Sequence, residues 1–175
     1  MNKAIFLDRD GVINIEKNYL YKIEDFEFVN GTFETLKKLQ NSGYKLFIIT
    51  NQSGIGRGYY SLDDFNKLTT WMLNEFKKSS ITISQVELCP HSPNDNCVCR
   101  KPLTGMIDNI LEKHDIDLQN SWLIGDKSSD IQCAINANIK NTIQVKSGHD
   151  FEEKDSKADY VCASIKDVAK IINCY

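Results

Sequence analysis

Ala4-Ile5-Phe6-Leu7-Asp8-Arg9-Asp10-Gly11-Val12 runs four apolar residues straight into two aspartates spaced by two. A short, wholly apolar run of this kind reads as a strand buried on both faces, the pattern of parallel sheets. Lys45-Leu46-Phe47-Ile48-Ile49, Val86-Glu87-Leu88, Trp122-Leu123-Ile124 and Thr142-Ile143-Gln144-Val145 resemble it, giving five strand candidates. Between them lie helical patterns. Phe33, Leu36 and Leu39 are spaced by three, and Leu62, Phe65, Leu68, Trp71, Met72 and Phe76 keep to one face. Ser61 with Asp64 makes a capping-box-like start, and Gly43 a stop for the preceding helix. Further helices fit 104–113, 128–137 and 164–172. The alternation predicts an α/β fold, a Rossmann-like, mostly parallel sheet with helices on both faces, whose ligands bind beyond the carboxyl ends of the strands.

A chain of 175 residues suits a single domain, 1–175. Its 21 basic against 24 acidic side chains leave a net charge of −3, no footprint for a polyanion, so a nucleic-acid partner is not expected. The longest apolar runs are far shorter than the ~20 residues of a membrane span. Met1-Asn2-Lys3 and the run after it lack the apolar stretch of a secretory signal. A cytoplasmic, reduced setting is therefore expected, in which six cysteines are metal ligands or buried side chains rather than disulfides.

Each strand end carries a polar element. Asp8 and Asp10 follow the first strand; Thr50-Asn51-Gln52-Ser53-Gly54-Ile55-Gly56-Arg57-Gly58 follows the second, with glycine spacing unlike a dinucleotide-binding loop. Arg100-Lys101-Pro102 follows the third, and Gly125-Asp126-Lys127-Ser128-Ser129-Asp130 the fourth. Carboxylates, a hydroxyl and an ammonium converging at one sheet end suit phosphoryl transfer: carboxylates hold Mg²⁺, and the hydroxyl and ammonium meet the oxygens over which transition-state charge spreads.

These stretches resemble, in order and over nearly the whole chain, the four motifs of the haloacid-dehalogenase-like phosphohydrolases. The resemblance implies that Asp8 attacks phosphorus to form an aspartyl phosphate, that Asp10 is the general acid and then base, and that Thr50 and Lys101 steady the phosphoryl group. It further implies Mg²⁺ bound by Asp8, the backbone carbonyl of Asp10 and Asp126, with Asp130 in support.

Cys89-Pro90-His91 and Cys97-Val98-Cys99 place three thiols and one imidazole within eleven residues, a composition known for structural zinc. Spacing by two points each pair one way along an extended backbone, so two short arms can close a tetrahedron. Such a Zn²⁺ has no open position for substrate; its use is to clip the loop 89–102 and fix Arg100 and Lys101. Cys133, Cys162 and Cys174 fall in or beside apolar patterns and are expected in the core.

The zinc pattern combined with Asp8-Arg9-Asp10-Gly11-Val12-Ile13-Asn14 and Gly125-Asp126-Lys127 is similar to the D-glycero-D-manno-heptose 1,7-bisphosphate 7-phosphatase subfamily; closely similar domains act as histidinol phosphatases. The first likeness implies removal of the 7-phosphate of a small sugar bisphosphate on the route to nucleotide-activated heptose for surface polysaccharide such as lipopolysaccharide. By position it also implies substrate contacts from Glu16, Lys17, Asn18 and Tyr19, from Asn51, Gln52 and Ser53, and from Arg100 and Lys127. The intervals 11–49 and 51–100 are filled by helix, strand and zinc loop, so a separate cap domain is not expected and the site should be open. Arg57 is a candidate for the distal phosphate. His114 and His149 show no partners in the sequence and are expected to be structural. The expected molecule is a monomeric, Mg-dependent phosphatase; histidinol phosphatase is the alternative within the fold, and a non-catalytic zinc-clipped interaction module the alternative outside it.

Overall fold

In the computed structural model, which describes residues 1–174, six parallel strands form one sheet in the order β3-β2-β1-β4-β5-β6. The strands are β1 (Ala4–Leu7), β2 (Lys45–Asn51), β3 (Ile83–Cys89), β4 (Trp122–Gly125), β5 (Asn141–Val145) and β6 (Tyr160–Cys162). The sequence predicts five of these. Tyr160-Val161-Cys162 escapes because it is three residues long, half-buried, and forms an edge beside β5 only.

Helices cover both faces: α1 (Thr32–Asn41), α2 (Ser53–Gly56), α3 (Leu62–Lys78), α4 (Gly105–Leu111), α5 (Ser128–Asn136) and α6 (Val168–Ile171). Side chains alternate through the sheet with the period of a strand. Ile5 and Leu7 of β1 enter the cluster built with α1, α3 and α6, while Ala4 and Phe6 enter the one built with α4 and α5. Phe6 stacks on Phe47 of β2 at 5.5 Å, filling the centre of the sheet on its α4 and α5 side.

The predicted ends have local causes. Ser61 Oγ accepts from the Asp64 amide while the Asp64 carboxylate accepts from the Ser61 amide, a complete capping box at the start of α3. Gly43, with φ +86°, lets the chain leave α1 and turn into β2. Two expectations shift. Ser53–Gly56, read as glycine-rich loop, is one helical turn, and the expected helix at 164–172 divides into a 3₁₀ turn (Ile165–Asp167) and α6. Cys133 and Cys174 are in the core as expected, whereas Cys162 is only partly buried.

Candidate active site and metal clip

Asp8 leaves β1 with its amide still bonded to the Ile124 carbonyl of β4 at 3.0 Å, so the central strand pair fixes where its carboxylate points. Lys101 meets it there. The Lys101 ammonium, 2% exposed, donates to Asp8 Oδ1 at 2.8 Å and to the Ile49 carbonyl at 2.9 Å, and lies 2.7 Å from Asp130 Oδ1. Asn51 straps the lysine in place: its Oδ1 accepts from the Lys101 amide at 3.1 Å and its Nδ2 donates to the Lys101 carbonyl at 3.3 Å.

Asp126, fully buried at the end of β4, completes the cluster. Its Oδ2 accepts from the His149 amide at 2.9 Å and lies 2.7 Å from His149 Nδ1; its Oδ1 is buried with no partner. Gly11 and Gly148 close around this carboxylate, and a Cβ on Gly148 would overlap Asp126 Oδ2. Asp130 is committed elsewhere, since its Oδ2 accepts from the amides of Asp126 and Lys127 at 3.1 and 3.0 Å and its Oδ1 faces Lys101. It shapes the turn into α5 rather than offering a free oxygen.

Asp8, Asp126 and Asp130 bring carboxylate oxygens within 4.8 Å of one another. Burial pushes the Asp8 carboxyl well above its ordinary range, Asp130 and Asp126 add to the rise, and Lys101 opposes it. For Lys101 burial alone would lower the ammonium, but Asp130 and Asp8 outweigh it and hold it charged. Three buried carboxylates around one ammonium lack positive charge, and the orphaned Oδ1 of Asp126 lacks a donor. Oxygen ligands and a charge deficit are what a hard divalent cation satisfies, so the residues present fit Mg²⁺.

Asp10 is held apart from this cluster. Arg9 Nη2 donates to its Oδ1 and Oδ2 at 2.8 and 2.9 Å, Asn14 Nδ2 to Oδ1 at 3.0 Å and Gln52 Nε2 to Oδ2 at 2.9 Å. Burial would raise this carboxyl, but Arg9 and the hydrogen bonds win and hold it below its ordinary range. This arrangement favours the carboxylate form of Asp10. Thr50, wholly buried, accepts from Gln52 Nε2 at 2.8 Å.

Asp8, Asp10, Lys101 and Asp130 floor a cavity of about 210 Å³, walled by Glu16, Asn18, Tyr19, Asn51, Gln52, Ser53 and Lys127 among the expected substrate contacts; Thr50 and Asp126 are not in its lining. Two expected contacts are not among the walls. The Lys17 ammonium turns outward to the Asp25 carbonyl at 2.8 Å and Glu27 at 3.5 Å, and Arg100 lies behind the rim with a buried, unpartnered Nη1. Arg57 is exposed and also lies outside the walls. Tyr60, Ser129 and His149 line the cavity without having been anticipated. His114 is structural as expected, its ring edge on Phe47 and its Nε2 3.1 Å from Gln85 Oε1. The expectation for His149 is corrected by its contact with Asp126. That histidine sits in a polar loop with no periodicity, and only the approach of the loop after β5 to the end of β4 brings it into the site.

Cys89, His91, Cys97 and Cys99 converge at the end of β3. His91 Nδ1 lies 3.6 Å from Cys89 Sγ and 3.2 Å from Cys99 Sγ, and Cys89 Sγ lies 3.9 Å from Cys97 Sγ. Ligand edges of a zinc tetrahedron with bonds near 2.3 Å measure about 3.8 Å between sulfurs, so the donors stand at the right separations for that ion. The loop is stitched to its surroundings by the Gly56 amide on the Pro90 carbonyl at 2.8 Å and the Gly105 amide on the Val98 carbonyl at 3.0 Å. It then delivers Lys101 two residues after its last thiol.

A doubly covered parallel sheet with an Asp-x-Asp motif after its central strand, a buried lysine from a neighbouring loop and an aspartate after the next strand defines a haloacid-dehalogenase-like hydrolase. The profile of the HAD-hydrolase-like family matches residues 98–168. The chain belongs, more narrowly, to the heptose-1,7-bisphosphate 7-phosphatases, and it is a phosphatase. It is 49% identical over 81% of its length, and 83% of the relative's, to a D-glycero-beta-D-manno-heptose-1,7-bisphosphate 7-phosphatase of Helicobacter pylori. It is 46% identical over 99% of its length, and 95% of the relative's, to a D-glycero-alpha-D-manno-heptose-1,7-bisphosphate 7-phosphatase of Campylobacter jejuni. Its fold superposes with a TM-score of 0.84 on the crystal structure of a D,D-heptose 1,7-bisphosphate phosphatase from B. bronchiseptica complexed with magnesium and phosphate, at 28% identity and 98% coverage of both chains. No helix among the described residues is long and apolar enough to cross a membrane.

Proposed function

We propose that this phosphatase removes the 7-phosphate from D-glycero-D-manno-heptose 1,7-bisphosphate, leaving heptose 1-phosphate, with Asp8 as nucleophile, Asp10 as proton carrier, Mg²⁺ at Asp8, Asp126 and the Asp10 carbonyl, and a structural Zn²⁺ on Cys89, His91, Cys97 and Cys99. The observation that carries the chemistry is the buried Asp8–Lys101–Asp130–Asp126 cluster with its unpartnered Asp126 oxygen. The sugar comes from the relatives at 46% and 49% identity.

A magnesium ion bound there supplies positive charge that offsets the charge of the phosphate. Lys101 orients the attacking carboxylate and, with Thr50, faces the phosphoryl oxygens. An Asp8 oxygen bonds to phosphorus as the ester P–O bond breaks, and the departing alkoxide takes a proton at Asp10. Arg9 favours the ionised form of Asp10 beforehand, so Asp10 takes up the proton it delivers from solvent, through the open cavity, once substrate is bound beside it. Asp10 then withdraws a proton from the water that attacks phosphorus and frees Asp8. A cavity open to solvent admits that water and suits hydrolysis rather than transfer to a second sugar.

Phosphate release measured on both anomers of the heptose bisphosphate and on histidinol phosphate, with and without Mg²⁺, tests the reading. Metal-dependent release from a heptose bisphosphate at the highest kcat/KM is expected. A preference for histidinol phosphate would overturn the assigned sugar, and no release from any ester would overturn the activity.

A further inference from the structure

We propose that Tyr60 is a positioning residue for Asp10, acting through the side-chain amide of Gln52. The inference rests on the reading of Asp10 as the proton carrier given above, and neither the family resemblance nor the motif positions assign Tyr60 a part.

Gln52 is 3% exposed and its amide is fully used. The two protons of Nε2 go to Asp10 Oδ2 at 2.9 Å and Thr50 Oγ1 at 2.8 Å, so one amide holds the proton carrier and the phosphoryl-facing hydroxyl in a fixed relation. That holds for only one of the two faces an amide can present, because a half-turn about its last torsion would set Oε1 against the Asp10 carboxylate, oxygen on oxygen. Something must therefore occupy Oε1. The Tyr60 hydroxyl donates to it, and Arg9 Nη2 approaches the same oxygen at only 3.5 Å, the limit of a hydrogen bond.

The phenol is itself built in. Tyr60 is 7% exposed, its ring is stacked on Tyr21 at 5.3 Å, and it stands directly before the capping box of α3. A Cβ at position 54 would overlap the ring, so Gly54 makes room for it in the turn that carries Gln52. Burial pushes the Tyr60 phenol up to about 12, and it stays a donor across the working range of the enzyme.

Tyr60→Phe removes one hydroxyl and leaves the ring packing. The test compares it with wild type in the first turnover of two esters, D-glycero-D-manno-heptose 1,7-bisphosphate, whose alkoxide must be protonated as it leaves, and p-nitrophenyl phosphate, whose phenolate leaves without help; the later water step, which uses Asp10 for either ester, does not enter a first-turnover rate. The expected result is a fall of about five- to tenfold in the first-turnover rate on the heptose ester, the size of one lost hydrogen bond in the transition state, with little change in KM or in the first-turnover release of p-nitrophenolate. Gln52→Met removes the relay's intermediate, so the Tyr60→Phe/Gln52→Met double variant should be no slower than Gln52→Met alone. Unfolding midpoints within a few degrees of wild type accompany a positioning role.

A uniform loss on both esters, a change confined to KM, or additive effects in the double variant would overturn the inference. Asp10→Asn separates it from the reading beneath. If Asp10→Asn shows the leaving-group dependence in the first turnover and Tyr60→Phe does not, the relay alone falls; if Asp10→Asn slows the first turnover of both esters equally, the assignment of Asp10 falls and the relay with it.

Discussion

Two clusters of side chains of metal-binding type stand at the carboxyl end of one sheet, and they are assembled in opposite ways. The thiol and imidazole group lies within one stretch of eleven residues, and closing it requires only that a short loop fold back on itself. The carboxylate group draws Asp8, Lys101, Asp126 and Asp130 from three separate strand ends and exists only once the sheet has formed. The first gathers four soft or borderline donors in a half-buried loop, enough to fill every position around a tetrahedral ion. The second uses hard oxygens in a buried site, keeps one oxygen of Asp126 unpartnered, and opens on a cavity. The difference teaches that coordination chemistry separates a fastening from a reaction centre: the closed group holds Lys101 in reach, and the open group has somewhere for a phosphate to go.

The sharpest way to break this comparison is at the centre of the open group. Asp8→Asn should lower phosphate release about 10⁴-fold or more while the unfolding transition persists; a variant retaining a few per cent of activity would remove Asp8 as nucleophile. Lys101→Met should abolish most activity and also cost about 3–5 kcal/mol in denaturant unfolding, because Asp8 and Asp130 lose the ammonium that pairs them in a buried site. A stability equal to wild type would show that water or metal already screens those charges.

The closed group should behave otherwise. Cys97→Ser, with zinc loss verified by elemental measurement, is expected to lower kcat/KM by about tenfold while moving the unfolding midpoint less than Lys101→Met does. Unchanged kinetics in the zinc-free variant would separate the clip from Lys101. The smallest effect is one of pH. A carboxyl raised above its unfolded value binds more protons in the folded state, so its contribution to stability declines as pH climbs through and above the ordinary carboxylate range. Asp8 is raised by burial and by its acidic neighbours, so metal-free protein should lose thermal stability through this group as pH rises above the ordinary carboxylate range. Mg²⁺ at ~100-fold over its Kd should raise the midpoint by about 5–10 °C at neutral pH and by less at pH 5; a pH-independent shift would place the ion away from Asp8.

Much of this was legible in the residues. Four apolar letters before Asp8, alternating strands and helices, Ser61 with Asp64 and Gly43 carry their reasons locally, as backbone preference and hydrophobic period. Tyr160-Val161-Cys162 was not legible, because a three-residue edge strand has no period of its own and pairs only after β5 is in place. His149, Tyr60 and the outward turn of Lys17 were hidden for a related reason. Each is decided by a partner distant in the chain or by a loop's direction, namely Asp126, Gln52 fixed beside Asp10, and Asp25 with Glu27.

The clustering of Cys89, His91, Cys97 and Cys99 and the place of Asp8 at the end of the first strand were therefore legible in the sequence alone, since short-range spacing and residue type suffice for both. The state in which the reacting groups wait was decided by tertiary structure. Asp10 is kept ionised by Arg9, Asn14 and Gln52, and Asp126 is gripped through one oxygen with the other left without a partner. Charge and hydrogen bonding depend on distance in space, and that distance is set by the sheet that gathers the ends of its strands.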